Sequence, residues 1–137
     1  FKNFAKLGNL EYLDVGRSLV TDASLELLEG FPMLKHLDVD STGVGDAGMK
    51  VLGRCRNLEA LSLHSQHVTD RGFAHLAGLK RLRKLDLSNV PVTDESAEVL
   101  LGFPELKELT LNMTNVSKPQ IKRIRKAIEA RSGVVYG

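Results

Sequence analysis

The chain has 137 residues, 42% hydrophobic and 26% charged, with a formal charge of +2. That describes one ordinary globular domain, and the even charge balance excludes a strongly basic nucleic-acid or membrane-surface binder. A single cysteine, Cys55, excludes an internal disulfide framework, and no apolar run approaches the roughly 18 residues of a membrane span.

The chain opens at Phe1 without Met, and removal of upstream sequence is therefore expected. Residues 1–9 read as the tail of a repeat, with Phe4 and Leu7 aligned to Leu28 and Phe31. Five full units follow, at 10–33, 34–57, 58–81, 82–105 and 106–129. They begin Leu10-Glu-Tyr-Leu13-Asp-Val15, Leu34-Lys-His-Leu37-Asp-Val39, Leu58-Glu-Ala-Leu61-Ser-Leu63, Leu82-Arg-Lys-Leu85-Asp-Leu87 and Leu106-Lys-Glu-Leu109-Thr-Leu111. Each starts 24 residues after the one before, and periods of this size mark stacked arrays.

Within a unit the first half, L-x-x-L-x-L, alternates with period two and predicts a short strand. The fourth unit carries its apolar set at Leu82, Leu85, Leu87, Val92, Ala97 and Leu100. Its second half, like that of the others, runs Val-Thr-Asp and then apolar residues three apart, which predicts a short helix. Asp22, Asp46, Asp70 and Asp94 stand at these helix entries and are read as N-caps. Gly30, Gly53, Gly78 and Gly102 are read as helix stops. After the fifth strand, Asn115-Val-Ser117-Lys-Pro119 replaces the usual entry, with Pro119 suited to a first helical position. Ile121, Ile124 and Ile128 form the apolar stripe of a longer helix, and Val134-Val-Tyr136 fits a last strand. Residues 117–137 are thus expected to cap the array.

These units resemble leucine-rich repeats of the 24-residue L-x-x-L-x-L-x-x-x-x-V-T-D-x-x-L-x-x-L type, frequent in bacteria and related to the cysteine-containing repeats of F-box proteins. The resemblance covers essentially the whole chain. It implies an α/β fold, a right-handed leucine-rich-repeat solenoid with a concave parallel β-sheet and convex short helices. It also implies a non-enzymatic protein–protein interaction module, with a substrate-receptor part of an F-box-like ubiquitin-ligase adaptor or a bacterial effector as the alternative. Two features depart from the pattern. The position usually held by Asn or Cys carries Ser18, Thr42, Gln66, Val90 and Thr114, so no Asn ladder links the turns. No amino-terminal cap is visible, so the first-repeat edge, with Phe1, Phe4 and Leu7, is expected to expose apolar stacking surface. That edge would meet further chain or support self-association.

A stacked array is also what energetics demands, because one 24-residue unit buries too few side chains to offset the ordering of its backbone. Strands pack about 4.8 Å apart and helices about 8–10 Å apart, so strands on one side and helices on the other bend the stack with the sheet inside. The exposed sheet face is then available for contact, although parallel sheets are usually covered.

Gly43-Val-Gly45-Asp-Ala-Gly48 spells G-x-G-x-x-G between a strand and a helix. A dinucleotide site would need a doubly wound sheet around it, whereas here the glycines occupy ordinary repeat positions. No cofactor, metal ligand or catalytic residue is expected. The outward columns of the sheet run Tyr12, His36, Ala60, Lys84, Glu108, then Asp14, Asp38, Ser62, Asp86, Thr110, then Gly16, Asp40, His64, Ser88, Asn112, with a turn column that begins at Arg17. His36, Asp38, Asp40 and His64 should converge there, where a small metal site or a carboxylate–imidazole pair could form, but a polar protein-contact surface is the expected reading. Tyr12, Asp14, Arg17, His36, Asp38, Asp40, His64 and Lys84 are the residues expected to bind a partner protein.

Charge is uneven: residues 1–79 carry 8 basic and 10 acidic groups, and residues 80–137 carry 11 and 7. The basic end, including Lys80, Arg81, Arg83 and the terminal helix, is read as a solvated surface, since no aromatic stacking platform accompanies it. Neither nucleic acid nor membrane is an expected partner.

Overall fold

A computed structural model describes residues 7–137. Six parallel strands stand side by side in chain order: β1 (Tyr12–Asp14), β2 (His36–Asp38), β3 (Ala60–Ser62), β4 (Lys84–Asp86), β5 (Glu108–Thr110) and β6 (Val134–Tyr136). Equivalent residues of successive repeats pair directly, as in Leu13↔Leu37, Leu37↔Leu61, Leu61↔Leu85 and Leu85↔Leu109. Period-two alternation sends these leucines inward and leaves the flanking columns on the open face.

Helical segments return the chain along the other side. They are α1 (Asp22–Leu25), α2 (Asp46–Leu52), α3 (Asp70–Phe73), α4 (Ala97–Leu101) and α5 (Lys118–Glu129), with 3-10 turns at Glu26–Gly30, Ala74–Gly78 and Asp94–Ser96. The core is one continuous column between strands and helices, from Val20 and Leu25 through Met49, Phe73 and Phe103 to Ile124 and Val135. At the first-repeat edge Leu13 and Val15 are only half-buried, while their equivalents Leu37 and Val39 are buried. Leu7 is exposed there; Phe1 and Phe4, assigned to the same edge, lie outside the described residues. At the other end Ile124 and Ile128 close the core, and Arg131 donates to the carbonyls of Phe103 and Leu106. Pro119 stands second in α5, after Lys118.

The helix-entry aspartates do something other than the sequence reading assigned. The N-caps of the first three helices are Thr21, Gly45 and Thr69, and Thr93 caps the 3-10 turn of the fourth repeat. Each Asp is the first residue inside, so its carboxylate is free to reach sideways into the next repeat. Asp22 accepts from the Gly45 amide at 2.7 Å. Asp46 accepts from the Thr69 amide and hydroxyl, both at 2.7 Å. Asp70 does the same with Thr93 at 2.9 and 2.8 Å, and Asp94 with Ser117 at 2.7 and 2.8 Å. Five repeats are thereby stitched by four rungs of charge-assisted hydrogen bonds, in the role that the missing Asn ladder would have filled.

The ladder also explains the glycine motif. Gly45 gives its amide to Asp22, and a Cβ on Gly48 would run into that same carboxylate. The loop therefore already holds an anion, the side chain of the preceding repeat. The glycines read as helix stops do stand at the helix ends, with one difference in geometry. Gly53 and Gly102 are ordinary right-handed residues at φ −61° and −79°, not left-handed caps. At Gly53 the reason is space: a Cβ would overlap the carbonyl oxygen of His75 in the next repeat. Gly53→Ala is expected to cost about 2 kcal/mol through overpacking, read as a lower urea midpoint. Gly30→Ala, with nothing within 4 Å of the added carbon, should leave the midpoint in place.

The turns after the strands keep the inter-repeat bonding going, with Arg17 N to Asp40 O at 2.7 Å and Ser41 N to His64 O at 3.0 Å. This brings Arg17, Ser41, Asn89 and Met113 into the left-handed region, at φ 54° to 63°. Ser65 at the equivalent place is buried instead, and its hydroxyl donates to the Val44 carbonyl at 2.6 Å.

Candidate functional site

The open face of the sheet carries a depression of about 370 Å³ over β2, β3 and β4. Its origin is one short side chain. In the first outward column Ala60 stands between His36 and Lys84, so a gap opens where its neighbours project. The Ala60 side chain and the strand backbone at Leu37 and Leu61 form the floor, and Tyr12, His36, Asp38, Ser62, Lys84 and Asp86 line the sides. Tyr12 and His36 pair across β1 and β2 with ring centroids 6.0 Å apart and planes inclined by 32°. Tyr12 is 63% exposed, a large apolar ring left in water beside a concavity.

The acidic column is held by its own turns. Asp14 Oδ1 accepts from the Gly16 amide at 2.9 Å, Asp38 Oδ1 from the Asp40 amide at 2.8 Å, and Asp86 Oδ1 from the Ser88 amide and hydroxyl at 2.9 and 2.6 Å. These bonds fix each carboxylate at the strand end. Lys84, the cation beside the depression, is engaged by Glu108 at 3.2 Å.

Next to the depression His64 stands between two carboxylates, with Nδ1 3.4 Å from Asp40 Oδ2 and Nε2 3.1 Å from Asp86 Oδ1. The Nε2 approach is close but misaligned for a hydrogen bond. Asp40 also accepts from the Ser62 hydroxyl at 2.8 Å and the His64 amide at 3.2 Å. Burial pushes the Asp40 carboxyl above the ordinary carboxylate range, despite its Ser62 and His64 partners. Burial also acts to raise Asp86, but there the bonds from Ser88 and the nearby His64 outweigh it and hold it below that range.

The expected cluster is therefore rearranged. Asp40 and His64 do meet, but the third member is Asp86. His36 packs on Tyr12, and Asp38 turns to its own loop. Their backbone positions explain this: His64 and Asp40 share a column, whereas His36 lies four residues earlier on its strand than Asp40. Among the described residues no group of three or more His, Cys, Asp or Glu side chains is disposed to hold a metal ion. Tyr12, His36, Asp38 and Lys84 share the depression, Asp14 pairs in register with Asp38 at its margin, and Arg17 stands away in a turn. Sequence reasoning passed over Ala60, Ser62 and Asp86. The signal was present in the first column, where one small residue interrupts Tyr, His, Lys and Glu.

Cys55 lies on the helix side, half-buried, with its thiol toward the Val51 carbonyl. Burial raises its pKa to about 11, which makes it a packing residue and not a nucleophile.

Residues 32–53 match the family described as Leucine Rich repeat. Among solved structures, an internalin from Listeria monocytogenes superposes with a TM-score of 0.77 at 23% identity, over 93% of this chain and 35% of that one. Internalin C2 from the same organism gives 0.70 at 27% identity, over 84% of this chain and 47% of that one. The chain thus has the leucine-rich-repeat solenoid fold and spans less than half the length of either internalin. No curated protein sequence matches it.

Proposed function

We propose that the chain is a non-enzymatic module that binds a protein partner on the concave face of its sheet. The observation that carries this reading is the depression centred on the small apolar side chain of Ala60, ringed by an exposed aromatic pair and charged side chains. An apolar centre with a polar rim is the anatomy of a protein contact, and aromatic anchors dominate the energetics of such surfaces. The identical length of the five repeats fits the same reading, because no inserted loop roofs the sheet to form an enclosed reaction chamber.

Ala60→Arg should fill the depression with a long charged side chain and leave the fold intact, since residue 60 faces outward. Peptides selected from a displayed random library on the native chain should lose capture by the variant at least about tenfold, equivalent to 1.4 kcal/mol. Equal capture by both chains would remove the concave face from the account.

A further inference from the structure

We propose that the depression accepts an arginine side chain presented by the partner, a conclusion that rests on the concave-face reading. Three observations combine. First, Asp38 and Asp86 stand in one column on either side of Ser62, about 9–10 Å apart at two strand spacings. Each commits Oδ1 to its own turn, that of Asp86 also facing His64 Nε2 at 3.1 Å, and neither Oδ2 has a hydrogen-bond partner among the described residues. Second, the nearby ammonium of Lys84 is already engaged by Glu108, so negative charge dominates the lining. Third, the Tyr12 and His36 rings stand on the same rim, beside the small apolar side chain of Ala60.

The spacing selects the cation. A metal ion needs a converging set of ligands at about 2.0–2.6 Å, and among the described residues no three His, Cys, Asp or Glu side chains are disposed to supply one. An ammonium is a compact point charge that would satisfy one carboxylate and remain strongly hydrated. A guanidinium is a flat, five-donor fork. It can give one edge to either carboxylate, place its face against an aromatic ring, and rest its methylene stem on the Ala60 and Tyr12 side chains. Arginine is therefore the side chain whose shape, charge and apolar stem all find a counterpart here.

The test is an amide-resolved NMR titration of the whole chain at low salt with N-acetyl-argininamide, and in parallel with N-acetyl-leucinamide. A fragment of this size should bind with a Kd of about 1 mM, with saturable shifts centred on Tyr12, His36, Ala60 and Ser62. The Asp38→Asn, Asp86→Asn double variant keeps an acceptor for each turn and should weaken binding about tenfold or more. Ala60→Leu removes the space without touching either carboxylate and should do the same. Absence of saturable shifts with the arginine probe, or an unchanged Kd in the double variant, overturns the proposal. If the leucine probe saturates at the depression while the arginine probe fails, the arginine assignment falls and the concave-face reading stands. If neither probe perturbs the depression, both fall.

Discussion

Phe73→Ala is expected to destabilise the protein by about 4 kcal/mol, in the range for a deleted core aromatic. Phe73 closes α3 and is fully buried. Its ring meets that of Phe103, one repeat further on, with centroids 6.3 Å apart and planes at 78°. That edge-to-face contact adds about 0.5–1.5 kcal/mol beyond the area buried. The consequence should also be topological. A solenoid repeat touches only its neighbours, and this pair joins the middle repeats to the carboxy-terminal ones. Urea unfolding followed by circular dichroism should show a lower midpoint and a broadened transition as the two halves uncouple. A shift worth less than about 1 kcal/mol would mean that neighbouring side chains collapse into the space, and the pair would lose its assigned role.

The second large effect is expected at Asp70. Its carboxylate takes the amide and hydroxyl of Thr93 and the hydroxyl of Ser96. Asp70→Ala leaves the hydroxyl of Ser96, 1% exposed, without its acceptor, along with the Thr93 amide. Bonds to a charged acceptor contribute about 1.5–3 kcal/mol each and are not additive, so a loss of about 3 kcal/mol is expected for the rung. Asp94→Ala should cost less, because the donors of Ser117 are more exposed. The rung has a pH signature as well. Burial acts to raise the Asp70 carboxyl, but its bonds from Ser96 and Thr93 outweigh that and hold it below the ordinary carboxylate range. A depressed folded-state value means that the stabilisation is complete above the unfolded pKa of about 3.9 and is lost as pH falls through the folded one. The native chain should therefore lose stability more steeply below about pH 4 than Asp70→Ala does. Parallel curves in acid would separate Asp70 from the ladder's contribution.

The ladder shows where reading the sequence stops. Asp at a helix entry has a local explanation as an N-cap, although the Thr before it at positions 21, 69 and 93 is a favoured cap as well. What overrides the cue is a neighbour 23 residues away in the chain. Stacking brings the next repeat's entry amide within reach of the carboxylate, and the Thr hydroxyl beside that amide completes a two-pronged bond. The same holds for Gly53, whose role as a helix stop is a local reading and whose real constraint is the His75 carbonyl of the following repeat.

The sequence by itself determined the framework. A 24-residue period with leucines at fixed places buries those leucines together in a parallel stack with strands on one side and helices on the other. It also listed the outward columns, because alternation along a strand is fixed by backbone geometry. Only the tertiary structure decided which members of those columns act together. Side-chain length, turn hydrogen bonds and the partner each carboxylate finds first are properties of neighbouring repeats taken together. Ala60 is an unremarkable residue in its own unit, and it becomes the centre of a depression because His36 and Lys84 flank it. His64 belongs with Asp86 as much as with Asp40, because the imidazole is wide enough to reach the repeats on both sides.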